Sequence, residues 1–542
     1  MTTLIYLAAL AYFHLPVSQA YQGSNTSILC SADNRQIVDN TTDYWPYQLY
    51  KSTNATPPYM GITTSGEPLA EGVIFLGQNY RPGTHAIKQQ GAMIMTDTSD
   101  LVWSGPSSSD VTVSDFKQMT LNGEQVILYW SSVGDQPTEG IGYGQVHILD
   151  STYREIYTIC PDLGLTLLPG ASSPCSADLH EHYITESNTL LVTAFNLTQA
   201  DLTSIGGTTD EWVLDALAAE VDLETGAILF TWSALEHVAV NNTQQSMPSS
   251  GTSQSVPLDL YHMNSIQSYG EYYLINCRHT FSTYMVDRAG EIMWSLQGQT
   301  GGDFGSLPTN GTFSWQHHTR MINESSTTAL YSCFDNGNSN PSKNVTSYGV
   351  SLRLTLPPNP SNPPELVTSL WDVNEQVYSW AEGSLSQLDN GNYFMGYGIR
   401  PIMKEYGPNP TVEGNVRWTA QFADLNSGHS YRAFKTNWHA TPYTQPTLIV
   451  SQSAVPDSLS NCTGSSSSSF LIGYVSWNGA TDVTSYVVYG GASEANLEEI
   501  GTFPKQGFET VFAIPSNVKA VQIGAIENNG TSVVQRSAVV TI

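Results

Sequence analysis

The segments VDLETGAILFTW (residues 221–232) and VDRAGEIMW (residues 286–294) share one pattern: a strand, a turn rich in Asp and Gly, and a second strand that ends in tryptophan. Related segments, including a degenerate copy and a longer one with a Pro-rich hairpin, give six such endings, at Trp103, Tyr157, Trp232, Trp294, Trp371 and Trp418. Their spacings of 54, 75, 62, 77 and 47 residues are compatible with four-stranded blades that carry loop insertions. We therefore predict a six-bladed β-propeller from about residue 60 to about residue 440.

Composition supports an all-β chain with more than one packing unit. The 542 residues exceed one typical domain, and helical periodicity is scarce among short alternating runs rich in Val, Ile, Tyr and Thr. After Trp438, short strands with frequent turn signals predict a β-sandwich of the fibronectin III or immunoglobulin type. The predicted divisions are a signal peptide at 1–20, an N-terminal extension at 21–60, the propeller at 61–440 and the sandwich at 441–542.

The N-terminal sequence indicates the cellular compartment, and the net charge limits the kinds of binding partner. Residues 1–20 form an apolar stretch that ends in Ser18-Gln19-Ala20, which predicts a signal peptide cleaved before Tyr21. A formal charge of -29 disfavours nucleic acid and anionic lipid as partners, and no later run has the length of a membrane span. We expect a secreted glycoprotein with sequons at Asn25, Asn40, Asn54, Asn196, Asn241, Asn310, Asn323, Asn344, Asn461 and Asn529.

The six cysteines are too widely spaced for a zinc finger or a Cys-x-x-Cys motif, so after export we expect disulfides. Fifteen connectivities are open to six cysteines. We expect a local bond between Cys160 and Cys175 and a second bond between Cys277 and Cys333 on neighbouring strands. These pairings would leave Cys30 and Cys462.

The sequence has no Walker loop, dinucleotide fingerprint, His-Glu-x-x-His or Gly-x-Ser-x-Gly elbow, so the candidates for chemistry are the histidines and the residues around them. Four segments stand out at intervals of about one blade: DLHEH (178–182), YHMNSI (261–266), CRH (277–279) and WQHHTR (315–320), the last followed by CFDNG (333–337). Inner strands of a propeller converge on a central channel, so polar residues from distant blades can build one site there. Strand alternation lets only one of His317 and His318 face that channel.

These segments, in this order, resemble the arylsulfotransferase-like β-propeller family, in the version found in secreted fungal chains, over roughly residues 60–440. The resemblance implies that His317 accepts a sulfuryl group, that His262 and Asn264 with Arg278 and His180 bind the sulfate ester and phenol, and that His279 and His318 lie beside the substrate. A neutral imidazole can attack sulfur while Arg neutralises the oxygens. Neither a metal nor another cofactor is expected.

Three functions remain open. Some fungal chains similar to this one are hetero-Diels-Alderases of secondary metabolism, which join a phenol-derived ortho-quinone methide to a terpene alkene such as a humulene. That reaction needs no nucleophile, only an apolar site with hydrogen-bond donors, and the acidic charge of the chain favours it slightly over aryl sulfotransfer. The third alternative is a non-catalytic propeller that binds a ligand. In both enzymatic readings the partners are small aromatic molecules, with a terpene in the first, and the oligomeric state stays open.

Overall fold

The computed structural model describes residues 28–542 except 40–41, 82–84, 135, 137, 139, 172, 247–250, 409–414, 453–455 and 460–470. The predicted signal peptide and its cleavage site, the sequons at Asn25, Asn40 and Asn461, and Cys462 lie outside the described residues. The described part begins with four short strands, β1 (Ser31–Asp33), β2 (Gln36–Val38), β3 (Tyr47–Leu49) and β4 (Gly61–Thr64). Strands β2 and β3 pair with each other, whereas β1 and β4 join sheets formed by later segments.

Six antiparallel sheets follow, numbered here sheet 1 to sheet 6. Sheet 1 contains β5 (Val73–Tyr80), β6 (Gly91–Met95) and β7 (Leu101–Ser104), with β29 (Gly428–His429) and β30 (Ala433–Thr436) paired to β5. Sheet 2 contains β8 (Val111–Leu121), β9 (Glu124–Val133), β10 (Gln145–Leu149) and β11 (Glu155–Ile159). Sheet 3 contains β12 (His182–Ile184), β13 (Leu190–Ala200), β14 (Glu211–Val221) and β15 (Ile228–Ser233), with β16 (Leu258–Asp259) beside β14.

The next three sheets repeat this order. Sheet 4 contains β17 (Met263–Tyr269), β18 (Tyr272–Cys277), β19 (Ser282–Asp287) and β20 (Ile292–Gln297). Sheet 5 contains β21 (His317–Asn323), β22 (Thr328–Asp335), β23 (Tyr348–Thr355) and β24 (Glu365–Leu370). Sheet 6 contains β25 (Ser384–Gln387), β26 (Tyr393–Gly396), β27 (Ile402–Tyr406) and β28 (Val416–Gln421), with β4 on its outer edge. Helical turns are short: α1 (Ala234–His237) and 3-10 turns at Thr203–Ile205, Val240–Asn242, Arg278–Thr280, Gly302–Phe304 and Asp457–Leu459.

The six sheets form a closed ring. The inner strands β30, β8, β12, β17, β21 and β25 contact one another in that order, and β25 contacts β30 again. Sheet 1 closes the ring, because it combines strands from residues 73–104 with a strand from residues 433–436. The all-β prediction is confirmed, and this ring is the arrangement expected for the blades of a β-propeller.

The recurring turn-and-aromatic segments lie at the third-to-fourth strand hairpins of the sheets. Six hydrophobic clusters fill the six gaps between neighbouring sheets. Five of the final aromatics belong to or pack against these clusters: Trp103, Tyr157, Trp232, Trp294 and Trp418. Two of them also donate their indole N–H to the next hairpin turn, Trp232 to the Gly290 carbonyl and Trp418 to the Asp97 carbonyl. The aromatic residue of the repeat therefore packs each sheet against the next one.

The C-terminal region forms two further sheets that face each other. One contains β31 (Thr447–Ser451), β32 (Leu471–Ser476) and β35 (Glu509–Ile514), together with β1. The other contains β33 (Val483–Gly491), β34 (Glu498–Pro504), β36 (Ala520–Glu527), β37 (Val533–Arg536) and β38 (Val540–Thr541). Side chains of both sheets, among them Val475, Phe512 and Tyr486, share one core. The N-terminal segment thus belongs structurally with the C-terminal sheets through β1.

The disulfide between Cys160 and Cys175 is confirmed. The predicted bond between Cys277 and Cys333 is wrong, because both are free, buried thiols. Cys277 lies in the core between sheets 3 and 4, whereas Cys333 lies in the core between sheets 4 and 5, so sheet 4 separates the two sulfur atoms. Cys30 is disulfide-bonded.

Five charged side chains close the middle of the channel, and we call them the channel ion cluster: Asp115, Lys117, Glu181, Arg320 and Arg432. Lys117 Nζ lies 2.7 Å from Asp115 and 2.6 Å from Glu181, and Arg432 lies 2.8 Å and 2.9 Å from the same carboxylates. Arg320 pairs with Glu181 at 2.9 Å. Burial alone would raise the pKa of Glu181, but the three cations hold this pKa well below its usual value. The cluster therefore keeps both carboxylates ionised.

The channel ion cluster makes a prediction about stability. Replacing Arg432 by Met removes its ion pairs with Asp115 and Glu181 in a buried site, so the free energy of unfolding should fall by about 3 to 5 kcal/mol. Chemical denaturation followed by tryptophan fluorescence measures this change. The matched control is Arg353→Met, which breaks a partly exposed pair with Glu324 and should cost about 1 kcal/mol or less. Equal losses in the two variants would contradict the assignment.

Candidate functional site

The predicted site residues come together at one end of the channel. We call His180, His262, Arg278, His279 and His317 the histidine cluster. The residues of this cluster are between 1% and 8% exposed. His180, His262 and His317 lie at or just before the inner strands of sheets 3, 4 and 5, whereas Arg278 and His279 lie in the turn after β18 of sheet 4. A loop passes over them, because a Cβ on Gly140 would lie 3.4 Å from His262 Cε1. The cluster is therefore a buried group of polar side chains.

Two imidazoles of the cluster are oriented by carboxylates. His180 Nδ1 donates to Asp178, and His262 Nδ1 donates to Asp259 at 2.5 Å. Because a carboxylate only accepts, each ring carries its proton on Nδ1 and presents the Nε2 lone pair. The two Nε2 atoms are 3.1 Å apart. Burial, with the nearby His180 and Arg278, lowers the pKa of His262 well below its usual value. Two Nε2 lone pairs that face each other can share one proton in a hydrogen bond, whereas burial keeps His262 neutral.

Arg278 supplies the positive charge of the cluster. Its Nη2 donates to the Trp380 carbonyl at 2.8 Å, and its Nη1 lies 3.0 Å from His279 Nε2. Its guanidinium carbon lies 5.3 Å from the ring centre of Trp315. Burial lowers the pKa of Arg278 to about 10, so the group stays protonated at neutral pH. Its buried Nε has no hydrogen-bond partner in the described structure and is available to a ligand.

His317 is held in a defined tautomer. Its Nδ1 lies 2.6 Å from Asn336 Oδ1, whose amide group donates in turn to the Ser379 and Glu382 carbonyls. Because those two bonds identify the Asn336 oxygen as the free acceptor, the His317 proton lies on Nδ1. Its Nε2 accepts a long hydrogen bond from the Glu382 N–H at 3.2 Å. Burial and the Arg278 charge lower the pKa of His317 well below its usual value. His317 is therefore a neutral base with its lone pair on Nε2.

His318 does not join the histidine cluster. A bulge in β21 between His317 and Arg320 breaks the alternation, and His318 has a left-handed φ of 51°. Its Nδ1 contacts the backbone of Leu385. The charges that act on His318 are those of the channel ion cluster, whereas Arg278 and the other cluster histidines act on His317. The two neighbouring histidines thus face opposite sides of the channel ion cluster.

Several residues at this end of the channel have a left-handed backbone conformation. Non-glycine residues with left-handed φ include His262 at 50°, Phe281 at 55°, Trp315 at 55° and Glu382 at 63°. Such conformations cost free energy and persist where the surrounding structure imposes them, often at functional sites. Here the closed ring imposes them, because each inner strand must enter the channel beside its two neighbours.

Asn264 supports the site from behind. Its Nδ2 donates to the Gln316 carbonyl at 2.8 Å, and its Oδ1 accepts from Asn276 at 2.7 Å. It is fully buried. One N–H of its amide and its oxygen are therefore engaged within the protein, and these bonds position the chain before His317.

Sequence reasoning missed four groups of the site: Asp178, Asp259, Asn336 and Tyr431. The first two carry a local signal, since an aspartate lies two or three residues before His180 and His262. Tyr431 carries none. Its ring lies 5.5 Å from His180 and 6.2 Å from His317, and its buried hydroxyl has no hydrogen-bond partner in the described structure. This hydroxyl is a second unused donor beside Arg278.

Asp259, His262 and His279 place ligand-type atoms within 4.8 Å of one another, so they form the set that could hold a metal ion among the described residues. Hydrogen bonds already occupy this set: His262 with the Asp259 carboxylate, and His279 Nδ1 with the Asp259 carbonyl at 2.8 Å. Arg278 also places its positive charge against His279. The donors Arg278 and Tyr431 make the cluster better suited to an anion.

Comparison with known proteins gives one family and several weak structural likenesses. The family model described as Arylsulfotransferase (ASST) matches residues 117–423. A protein of unknown function from Bacteroides caccae is 14% identical with a TM-score of 0.37, over 67% of this chain and 99% of that one. A GH43 protein from Bacillus licheniformis is 9% identical with a TM-score of 0.31, over 78% and 88%. Identities and TM-scores this low do not support a functional assignment. A search of curated proteins found no match.

A pH-dependent stability is expected from Asp335, which precedes Asn336 and accepts the Ser314 and Gly337 N–H groups at 2.9 Å. Burial raises the pKa of Asp335 from 3.8 to about 7. Between these values the folded chain keeps a proton that the unfolded chain has released, so this group makes stability fall as pH rises. Asp335→Asn should flatten the unfolding free energy over that range relative to wild type. Parallel profiles would contradict it, and exposed Asp389→Asn is the control.

Proposed function

Because the chain belongs to the arylsulfotransferase family, we propose that the histidine cluster transfers a sulfuryl group from an aryl sulfate to a phenol through His317. The observation that carries the proposal is the state of His317: a buried, neutral imidazole whose proton is held on Nδ1 by Asn336. Only the lone pair on Nε2 can then act as a nucleophile. The family match and this tautomer together favour sulfuryl transfer over the cycloaddition that the acidic charge suggested.

In the first step, His317 Nε2 attacks the sulfur of the donor, the N–S bond forms and the S–O bond to the aryl group breaks. The neutral ring becomes a positively charged sulfo-imidazole with its proton still on Nδ1, and the aryl group leaves as a phenolate. For this attack the sulfur has to replace the long contact from the Glu382 N–H. A long bond is weak, so the exchange has a small cost.

Negative charge on the sulfuryl oxygens and the phenolate has two unused donors nearby, Arg278 Nε and the Tyr431 hydroxyl. A hydrogen bond that strengthens as charge develops in a buried site lowers the barrier, typically by a factor of about 10² to 10³ for one donor. Burial raises the pKa of Tyr431 well above its usual value, so the phenol stays a donor.

The second step transfers the sulfuryl group to the acceptor phenol. The acceptor oxygen has to lose its proton as it attacks sulfur, and the facing Nε2 atoms of His180 and His262 can take that proton. Asp178 and Asp259 stabilise the resulting imidazolium through the Nδ1 bonds. As the new O–S bond forms, the N–S bond breaks and His317 returns to its neutral state. The proton held by the histidine pair is then available to the phenolate released in the next turnover, which closes the cycle.

The contacts of His317, Arg278 and Tyr431 also support a second candidate function, the hetero-Diels-Alder reaction of fungal secondary metabolism. The Glu382 N–H already occupies His317 Nε2, while Arg278 and Tyr431 offer free donors, as carbonyl polarisation of a quinone methide requires. Aromatic rings of Phe281 and Trp315 pack beside His279 and Arg278 and could form the wall for an apolar partner. This function needs no covalent intermediate.

His317→Ala separates the two functions. With 4-nitrophenyl sulfate and a phenol, the variant should lose sulfuryl transfer by at least about 10³-fold, because the nucleophile is gone. Mass spectrometry of the wild-type protein mixed with donor alone should find sulfate on His317. The matched control is His318→Ala, which lies outside the histidine cluster and should keep most of the activity if the variant folds.

Transfer that survives His317→Ala would refute the nucleophile. A stereoselective adduct from a quinone methide precursor and a cyclic terpene alkene, formed by wild type without any sulfate donor, would establish the second function instead. Tyr431→Phe should slow either reaction by up to about 10²-fold, since both use its hydroxyl as a donor.

We also propose that the chain is exported and glycosylated. Of the seven described sequon asparagines, six are exposed and Asn196 is half-buried with its Oδ1 bonded to the Thr166 N–H. Among the described residues, no helix combines the length and hydrophobicity needed to cross a membrane. Treatment of the protein from a eukaryotic secretory host with an N-glycosidase should lower its mass by several glycans. An unchanged mass would contradict export through that route.

A further inference from the structure

A cavity of about 500 Å³ lies between sheet 1 and the C-terminal sheets, and we call it the junction cavity. Its size is in the range of pockets that hold small organic ligands. Trp438, Trp477 and Phe508 line it and supply an apolar wall. His439 also lines it, and 72% of the His439 side chain is exposed, so the cavity is open to solvent there. None of its lining residues belongs to the histidine cluster, so the two sites are separate.

Lys505 follows β34 directly and lines the junction cavity with an amine that has few partners. Its backbone N–H donates to the Thr484 carbonyl at 2.9 Å, and its Nζ donates to the Ala480 carbonyl at 2.9 Å. Among the residues that the structure describes, no carboxylate is ion-paired with this Nζ. Burial lowers the pKa of Lys505 to about 8. About half of the amine is therefore neutral at pH 8, and a neutral lysine has a lone pair that can act as a nucleophile.

The charged groups that act on Lys505 are two aspartates, Asp482 and Asp100, and both oppose the effect of burial on its pKa. Each has a partner of its own: Asp482 Oδ1 lies 2.9 Å from His439 Nδ1, and Asp100 pairs with Arg35 at 2.8 Å. The cavity thus has no surplus of positive charge that would favour an anion. A neutral ligand that becomes a cation on reaction fits it better, because the nearby carboxylates stabilise that cation.

We propose that Lys505 binds a small apolar aldehyde in the junction cavity covalently, as a protonated Schiff base. The neutral amine attacks the carbonyl carbon, the C–N bond forms, and a proton moves from nitrogen to the carbonyl oxygen to give a carbinolamine. The hydroxyl group then takes up a proton and leaves as water, and a C=N bond with one positive charge remains. One amine, one aldehyde and one proton are consumed, and one water is released.

The surroundings of Lys505 suit each part of this reaction. The pair of His439 and Asp482 lies at the open edge and can pass protons between the cavity and solvent. The apolar part of the aldehyde packs against the wall of Trp438, Trp477 and Phe508. The site is independent of the reaction proposed for the histidine cluster.

Reductive trapping with 3-phenylpropanal tests the proposal. Sodium borohydride converts a Schiff base to a stable secondary amine, which peptide mapping by mass spectrometry locates. In the wild-type protein at pH 7.5, Lys505 should be labelled at least about 10-fold faster than Lys519, which is exposed. The preference should fall with acetaldehyde, which lacks the apolar part. Equal labelling of the two lysines, or an equal preference with acetaldehyde, would overturn the proposal.

The pH dependence of trapping gives a second readout. The rate of labelling at Lys505 should rise with pH and level off with an apparent pKa of about 8, because only the neutral amine attacks. An ordinary lysine has a pKa of about 10.4. A rate at Lys505 that still rises steeply above pH 9 would show an ordinary amine and refute the site.

Variants locate the reaction. Lys505→Met removes the amine and should abolish the single fast adduct in the intact mass. Val102→Trp narrows the cavity without changing any charge and should slow trapping of 3-phenylpropanal at least about 10-fold. Lys519→Met and His317→Ala should react as wild type does, and circular dichroism checks that each variant folds. A fast adduct that persists in Lys505→Met, or that disappears in His317→Ala, would place the reaction elsewhere and overturn the proposal.

Discussion

The channel ion cluster is the interaction on which the arrangement of the inner strands depends. Its five side chains come from sheets 1, 2, 3 and 5, and Arg432 also donates to the Asn264 carbonyl of sheet 4 at 2.8 Å. Buried charges cost much desolvation free energy unless each is paired and hydrogen-bonded. The sheets must therefore stay in the one register that satisfies Asp115 and Glu181 together, which favours a unique ring over sliding alternatives.

The same cluster divides the channel into two ends with different chemistry. On one side lie the imidazoles of the histidine cluster, three of which have their tautomers set by Asp178, Asp259 and Asn336. On the other side a cavity of about 350 Å³ is lined by Lys117, Arg320 and His318. His317 and His318 are adjacent in sequence and yet lie on different sides, because the bulge in β21 turns the chain between them.

Much of this architecture could be predicted from the sequence. The turn-and-aromatic repeat marks the third-to-fourth strand hairpins, because alternating hydrophobic residues and Asp/Gly turns act over only a few residues. The local disulfide between Cys160 and Cys175 is confirmed for a similar reason, since fifteen residues separate its cysteines. The predicted Cys277–Cys333 bond is wrong because the two cysteines lie on strands of different sheets and in different cores. Which core each side chain enters depends on how the ring is assembled, and the local sequence does not contain that information.

The same distinction holds for the candidate site: residues in short local motifs could be predicted, and residues brought in from distant segments could not. His180, His262, Arg278 and His317 could be found because each stands in a short recognisable segment, at the start of an inner strand or, for Arg278, directly after β18. Tyr431 and Arg432 could not, since they follow His317 by more than a hundred residues and reach the channel only when β30 closes sheet 1. The sequence by itself determined the strands, the turns and the chemical groups available. The tertiary structure decided which of those groups meet, because closure of the ring brings distant inner strands together and burial sets the charge that each group carries.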